Sequence, residues 1–176
     1  MNYFTAREAK AYAQKVKLPP PLVQLHTAVA SFSQFTRRYD IFLSHSHYDK
    51  SDIKNLYITF SEFGFTPYVD WINDNFSANE IDTGNPNIAE RLKNRISNSK
   101  CLLYATSSHS EESQWMPWEL GYSDSTINKV AIFPYLDTNQ AFKKYGFLNL
   151  YPVVEFNNRK ENFYINGTQL VDWINS

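Results

Sequence analysis

The densest chemistry in the chain lies in SQWMPWELGY, residues 113–122. On a helix, Trp115 and Glu119 stand four apart and share a face. The indole can stack on a flat aromatic ligand, while the carboxylate stabilises positive charge or bonds to ribose hydroxyls. Beside an indole a carboxylate loses hydration, which raises its pKa. Trp118 and Tyr122, also four apart, read equally well as core. A carboxylate amid three aromatics is rarely packing filler, so Glu119 has two readings, functional and structural.

A second candidate is SHSHYDK, residues 44–50. A Ser-His-Asp hydrolase fails here, because Ser44 and His45 end a strand and successive strand side chains point to opposite faces. No G-x-S-x-G elbow surrounds Ser44 either. Two readings remain. The segment is a polar loop whose hydroxyls and amides meet phosphate or ribose, or a turn in which Asp49 or Ser51 caps the next helix. Asp70 and Trp71 end another strand, and Asp70 reads either as a ligand contact or as a turn cap. The stretch after them, 71–84, is too long and polar for a tight turn, and such loops are often functional. His45, His47 and His109 lack the spacing of a metal site, so no metal is expected. The single cysteine, Cys101, leaves no disulfide framework within the chain and reads as buried packing.

These residues need elements to hold them. From Tyr39 onward, strands alternate with helices. Strands are predicted at YDIFLS (39–44), FTPYVD (65–70), CLLYAT (101–106) and KVAIFPY (129–135), with a weaker fifth at YPVVEF (151–156). Between them lie an apolar stripe of Ile53, Leu56, Tyr57 and Phe60 closed by Gly64, and a helix opened by Asn85 and Pro86 that carries Ile88, Leu92 and Ile96. A short helix follows around 115–122, and a last one carries Leu170, Val171 and Ile174. This alternation implies an α/β fold, a parallel sheet with helices on both faces. Such sheets bind ligands at the carboxyl ends of their strands near the switch point. That rule points to Ser44-His45, Asp70-Trp71, Thr106-Ser107 and the helix after them. Residues 1–38 read as a short helical extension ahead of a domain over 39–176. Thr5 and Glu8 fit a capping box, and Pro19, Pro20 and Pro21 stop that helix. Leu22, Leu25, Val29 and Phe32 then form a second stripe. Packing against the domain or a partner copy is the reading for both helices, because they lack the strongly basic face of a membrane-surface helix.

Composition narrows the classes. The chain has 176 residues, 43% hydrophobic and 16% aromatic, which excludes disorder. A net charge of −1 gives no strong field for nucleic acid or an anionic membrane. Neither G-x-G-x-x-G nor a Walker A string occurs. No apolar run approaches the roughly 18 residues that span a bilayer, and MNYFTAREAK carries charge where a signal peptide would be apolar. A soluble cytoplasmic protein is expected.

Taken together, the motifs resemble the TIR (Toll/interleukin-1 receptor) domain family. YDIFLSHSHYDK resembles the family's first strand and loop, GFTPYVDW its second strand, and SNSKCLLYATSSHSEESQWMPWELGY its third strand and the W-x-x-x-E segment of enzymatic members. The first and third blocks most resemble small stand-alone bacterial TIR proteins of antiphage systems such as Thoeris. The resemblance covers about 39–176. It implies a flavodoxin-like five-stranded parallel sheet and cleavage of the nicotinamide–ribose bond of NAD, with ADP-ribose, a cyclic ADP-ribose isomer or a related signal as product. By position it implies Glu119 as catalytic and Ser44, His45, Asp70, Trp71 and Trp115 as substrate-binding. NAD is then a consumed substrate, and no cofactor is implied. Pro117 inside the Trp–Glu segment is a local departure that bears on where the helix starts. The implied partners are further copies through TIR–TIR contacts and a separate effector that senses the product. The other reading of the same resemblance is a non-enzymatic TIR scaffold. A flavin-binding carrier on a flavodoxin-like sheet is a third.

Overall fold

A computed structural model describes residues 3–15, 37–76, 85–135 and 142–176. The predicted apolar stripe at 22–32 and most of the polar stretch 71–84 lie outside them.

The parallel sheet contains β1 (Tyr39–Ser44), β2 (Pro67–Tyr68), β3 (Ser99–Thr106) and β4 (Val130–Pro134) in the order β2-β1-β3-β4. Strand side chains alternate between two cores, because successive residues point to opposite faces. Ile41, Leu43, Cys101, Leu103, Ala105, Ala131 and Phe133 enter one core. Phe42, Leu102, Tyr104, Val130 and Ile132 enter the other. Burial on both faces is why these strands read as near-continuous apolar runs.

The first core is covered by α1 (Ala6–Lys15) and α2 (Lys50–Glu62), and the second by α4 (Pro86–Ser97) and α5 (Trp115–Thr126). Their ends carry the expected signals. Thr5 N–H donates to Glu8 Oε2 at 2.8 Å and Glu8 N–H donates to Thr5 Oγ1 at 3.2 Å, a reciprocal capping box. The α1 segment packs on the main core, where the Phe4 ring lies 4.7 Å from Phe156 and 5.1 Å from Phe163. Gly64 ends α2 at φ +84°, with Gly64 N–H on the Ser61 carbonyl and Phe65 N–H on that of Phe60. This pattern is a Schellman motif, and its left-handed position favours glycine. Asn85 caps α4 by accepting from Asn87 N–H at 3.0 Å, with Pro86 in the first turn.

The fifth strand differs from the sequence expectation. The chain meets β4 at a single parallel bridge, Ile132 with Val153, where Ile132 N–H donates to the Pro152 carbonyl at 2.8 Å. It then leaves the sheet. β5 (Val154–Asn157) pairs antiparallel with β6 (Asn162–Ile165), which pairs with β7 (Thr168–Gln169) ahead of α6 (Leu170–Asn175). The turn between β6 and β7 is Asn166-Gly167, both at positive φ (49° and 82°). Asn-Gly is a strong two-residue hairpin signal, because both positions tolerate the left-handed region.

Beyond β2 the chain makes a single turn of helix, α3 (Asp70–Asn73). Just past it, Asp74 meets Arg95 of α4 in a bidentate pair, Nε to Oδ2 at 3.0 Å and a terminal nitrogen to Oδ1 at 2.8 Å. Tyr68 O–H also donates to Asp74 at 2.9 Å. The two charged side chains are only 3% and 2% exposed. Removing one partner of such a pair strands a buried charge. Arg95→Met is therefore expected to lower stability by about 3–5 kcal/mol in urea unfolding. Adding Asp74→Asn, which removes the stranded charge and keeps an acceptor for Tyr68, should restore most of it.

Candidate active site

In this strand order β1 lies between β2 and β3, so the chain crosses from β1 to β2 on one side and then from β2 back over β1 to β3 on the other. The carboxyl ends of β1 and β3 are therefore where a parallel sheet opens a crevice. A cavity of about 460 Å³ lies there. Among the described residues its wall includes His45 just past β1, His47 and Tyr48 on the following 3-10 turn, and Asp70 at the start of α3. Ala89 and Leu92 of α4 face Trp115, Trp118 and Glu119 of α5 across it.

Helix register puts Glu119 in this wall. Met116, Leu120 and Ser123 are buried on α5, at three before, one after and four after Glu119. That stripe seats the carboxyl against the end of β1. Pro117 does not displace the helix start, which falls at Trp115. It occupies the first turn, where backbone N–H groups have no intrahelical acceptor. Glu119 is 7% exposed. Ser44 O–H donates to its Oε2 at 2.6 Å. Burial pushes the carboxyl pKa up to about 8, a rise that the Ser44 hydrogen bond opposes and the nearby Asp70 charge reinforces. Burial thus favours the protonated carboxyl near neutrality, a range in which proton transfer is efficient. Trp115 meets Trp118 edge to face, with ring centroids 5.3 Å apart, and Trp118 stacks on Tyr122. The α5 side of the cavity is an aromatic wall beside a desolvated carboxyl.

The other expected residues take distinct positions. Ser44 spends its hydroxyl on Glu119. Asp70 lines the cavity, and its Oδ1 accepts from Trp71 N–H at 2.7 Å. His45 lines the cavity with its ring, but Nδ1 is 2.9 Å from the Leu43 carbonyl and Nε2 accepts from the Trp71 indole at 3.2 Å. Trp71 packs on the edge of the first core, and the Lys50 ammonium lies 5.8 Å from its ring centroid. Asp49 occupies the N-cap position of α2 without capping it. Its carboxylate instead receives Ser107 O–H at 2.5 Å and faces His109 Nδ1 at 2.7 Å, tying the loop after β1 to the loop after β3.

Trp118, Tyr48 and His47 join the wall without having been singled out as site residues. Trp118 carried a signal, since it lies three residues from Trp115 and neighbours Glu119 in sequence. His47 and Tyr48 carried one only as members of the 44–50 loop, and Tyr48 is 61% exposed.

The sequence pattern of the TIR domain family matches residues 41–164. Two curated bacterial proteins are similar. A probable 3' cyclic ADP-D-ribose synthase, ThsB', of Bacillus cereus (strain MSX-D12) is 39% identical over 142 residues, which is 78% of this chain and 69% of that protein. A putative cyclic ADP-D-ribose synthase, TIR2, of Cytobacillus dafuensis is 34% identical over 104 residues, 58% of this chain but only 27% of that longer protein. The crystal structure of the TIR domain of the Toll-related receptor TRR-2 from Hydra magnipapillata shares the fold at a TM-score of 0.51 and 17% identity, over 69% of this chain and 87% of that one. The chain belongs to the TIR domain family.

Proposed function

We propose that this protein cleaves the nicotinamide–ribose bond of NAD and closes the ADP-ribose on itself, giving a cyclic ADP-ribose isomer. The observation that carries the proposal is the buried Glu119 carboxyl, held by Ser44 in the wall of a cavity faced by Trp115 and Trp118. The two bacterial relatives named as cyclic ADP-D-ribose synthases support it.

The residues suit that chemistry. Glycosidic cleavage passes through an oxocarbenium-like state, and ordinary glycosidases use a second carboxyl to protonate the leaving group. Nicotinamide is bound as a cation and departs neutral with the electron pair of the broken C–N bond. It needs no general acid. A cationic ring beside Glu119 favours the ionised carboxylate, which then stabilises positive charge on the ribose. Asp70 adds negative charge to the same wall, and Trp115 offers a face for a flat ring. A hydroxyl or ring nitrogen of the same molecule then attacks the ribose carbon. Where a hydroxyl attacks, Glu119 takes its proton. Closing the ring in place of hydrolysis requires the pocket to fold the substrate and exclude water.

The same proposal places the protein in the bacterial cytoplasm as a signal producer in antiphage defence. It acts there in assemblies with further copies of itself, and a separate effector senses its product.

Purified protein at high concentration is expected to consume NAD, release nicotinamide and give a second product one water lighter than ADP-ribose by mass. Glu119→Gln should lower that rate by about 100-fold or more. Full activity in the variant would refute the assignment of Glu119. An inactive wild type that self-associates would favour the scaffold reading.

A second prediction concerns stability. The pKa of Glu119 is raised on folding, from an ordinary 4.5 to about 8. The unfolded chain therefore loses this proton first as pH rises, and stability falls between those values. Glu119→Gln removes that dependence. The variant should match the wild type at acid pH and exceed it above pH 8, by on the order of a few kcal/mol in urea unfolding.

A further inference from the structure

His45 sits where a substrate contact is expected, yet neither of its ring nitrogens is free. Nδ1 lies 2.9 Å from the Leu43 carbonyl, which can only accept, so Nδ1 carries a proton. Nε2 lies 3.2 Å from the Trp71 indole nitrogen, which can only donate, so Nε2 presents its lone pair. The two contacts specify one neutral tautomer. The side chain is 5% exposed, which leaves little room for a further partner.

What this contact holds is α3. A single four-residue turn has almost no stability of its own, and its N-cap position, Val69, makes no side-chain capping bond. Tertiary ties must place it. At its far end the tie is Asp74 on Arg95. At its near end it is Trp71, whose indole binds His45 and whose backbone N–H binds Asp70 Oδ1. Asp70 in turn lines the cavity. The path from β1 to a cavity carboxylate thus runs from His45 through the Trp71 indole and the Trp71 backbone to Asp70.

We infer that His45 is a positioning residue: through Trp71 it holds α3 and the Asp70 carboxylate against the cavity, and it does not itself bind the substrate. The consequence for catalysis rests on the NAD-cleaving reading, whereas the contact itself does not. The carboxylate is where the two meet. His45 Nε2 is 3.5 Å from Asp70 Oδ1. A proton placed on Nε2 would therefore exchange the indole for the carboxylate and release Trp71.

Two measurements test this separately. Nitrogen-15 NMR of the histidine side chains at pH 8, with His45 assigned by His45→Gln, should show the Nδ1–H tautomer in the wild type. In Trp71→Phe the Leu43 carbonyl still holds the proton on Nδ1, so the tautomer should persist while the Nε2 resonance shifts as it loses its indole donor. An Nε2–H tautomer in the wild type would overturn the inference whether or not the protein consumes NAD. The second measurement is a kinetic cycle. His45→Ala and Trp71→Phe should each lower kcat/KM for NAD by about tenfold through misplacement of a cavity group. The double variant should lose no more than either alone, because both remove one tie. His45→Gln, whose amide oxygen can accept from the indole, should keep most of the activity. Additive losses, or a loss in His45→Gln as large as in His45→Ala, would mean that His45 contacts substrate directly and would refute the positioning role. A wild type without NAD turnover would refute the proposed function and leave the NMR result to decide the inference.

Discussion

A carboxyl group taken out of water at the end of a strand is the constraint around which this protein is arranged. Leaving Glu119 charged and buried would be costly, and the fold meets that cost with a proton and one short hydrogen bond from Ser44. Ser44 gives that bond from the last residue of β1, and Glu119 receives it because Met116, Leu120 and Ser123 set the register of α5. Had the helix begun one residue later with the same core stripe, nothing in the first turn would hold Trp115 beside the cavity. The position of one carboxyl therefore depends on β1, on the register of α5 and on the packing of Met116 and Leu120 beneath it.

The opposite wall is built on different terms. α5 is seated by its apolar contacts, which are numerous and weakly directional. α3 is short: Trp71 and Ile72 pack on the first core, and polar ties of defined geometry, Trp71 to His45 at one end and Asp74 to Arg95 at the other, fix its placement. Buried polar ties contribute little net stability, but they specify an arrangement. One wall of the cavity is thus set by burial and the other by burial together with directional hydrogen bonds. They converge on Glu119 and Asp70, the two carboxyl groups whose charges influence one another.

Much of this was legible in the sequence, for physical reasons that differ by element. β1 and the start of α4 were readable because their signals are local: an apolar run, and Asn85 before Pro86. Trp115 and Glu119 were readable as a pair because helical spacing alone puts them on one face. The departure of the chain after Val153 was not, since one parallel bridge and one antiparallel hairpin draw on the same apolar residues. The Asn-Gly turn at 166–167 did mark the second hairpin, between β6 and β7. The division of labour between Ser44, His45 and Trp71 was unreadable for another reason. Sequence places all three near the cavity, but only the contacts show that their polar atoms are spent on neighbouring protein groups.

That distinction changes how the cavity is to be read. With Ser44, His45 and Trp71 engaged, the cavity wall still carries the carboxyl groups of Asp70, Glu112 and Glu119, with His47 and Gln114, beside aromatic and aliphatic side chains. Such a lining suits a flat, positively charged ring through its carboxyl groups. It also couples binding to protonation. Burial favours a neutral Glu119, whereas a cation placed beside it favours the carboxylate. Under the proposed reading the substrate brings that cation with it and loses it when nicotinamide departs. The carboxyl is then charged while positive charge needs stabilising, and it regains a proton as that charge disappears, which is the order of events that cyclisation through a hydroxyl requires.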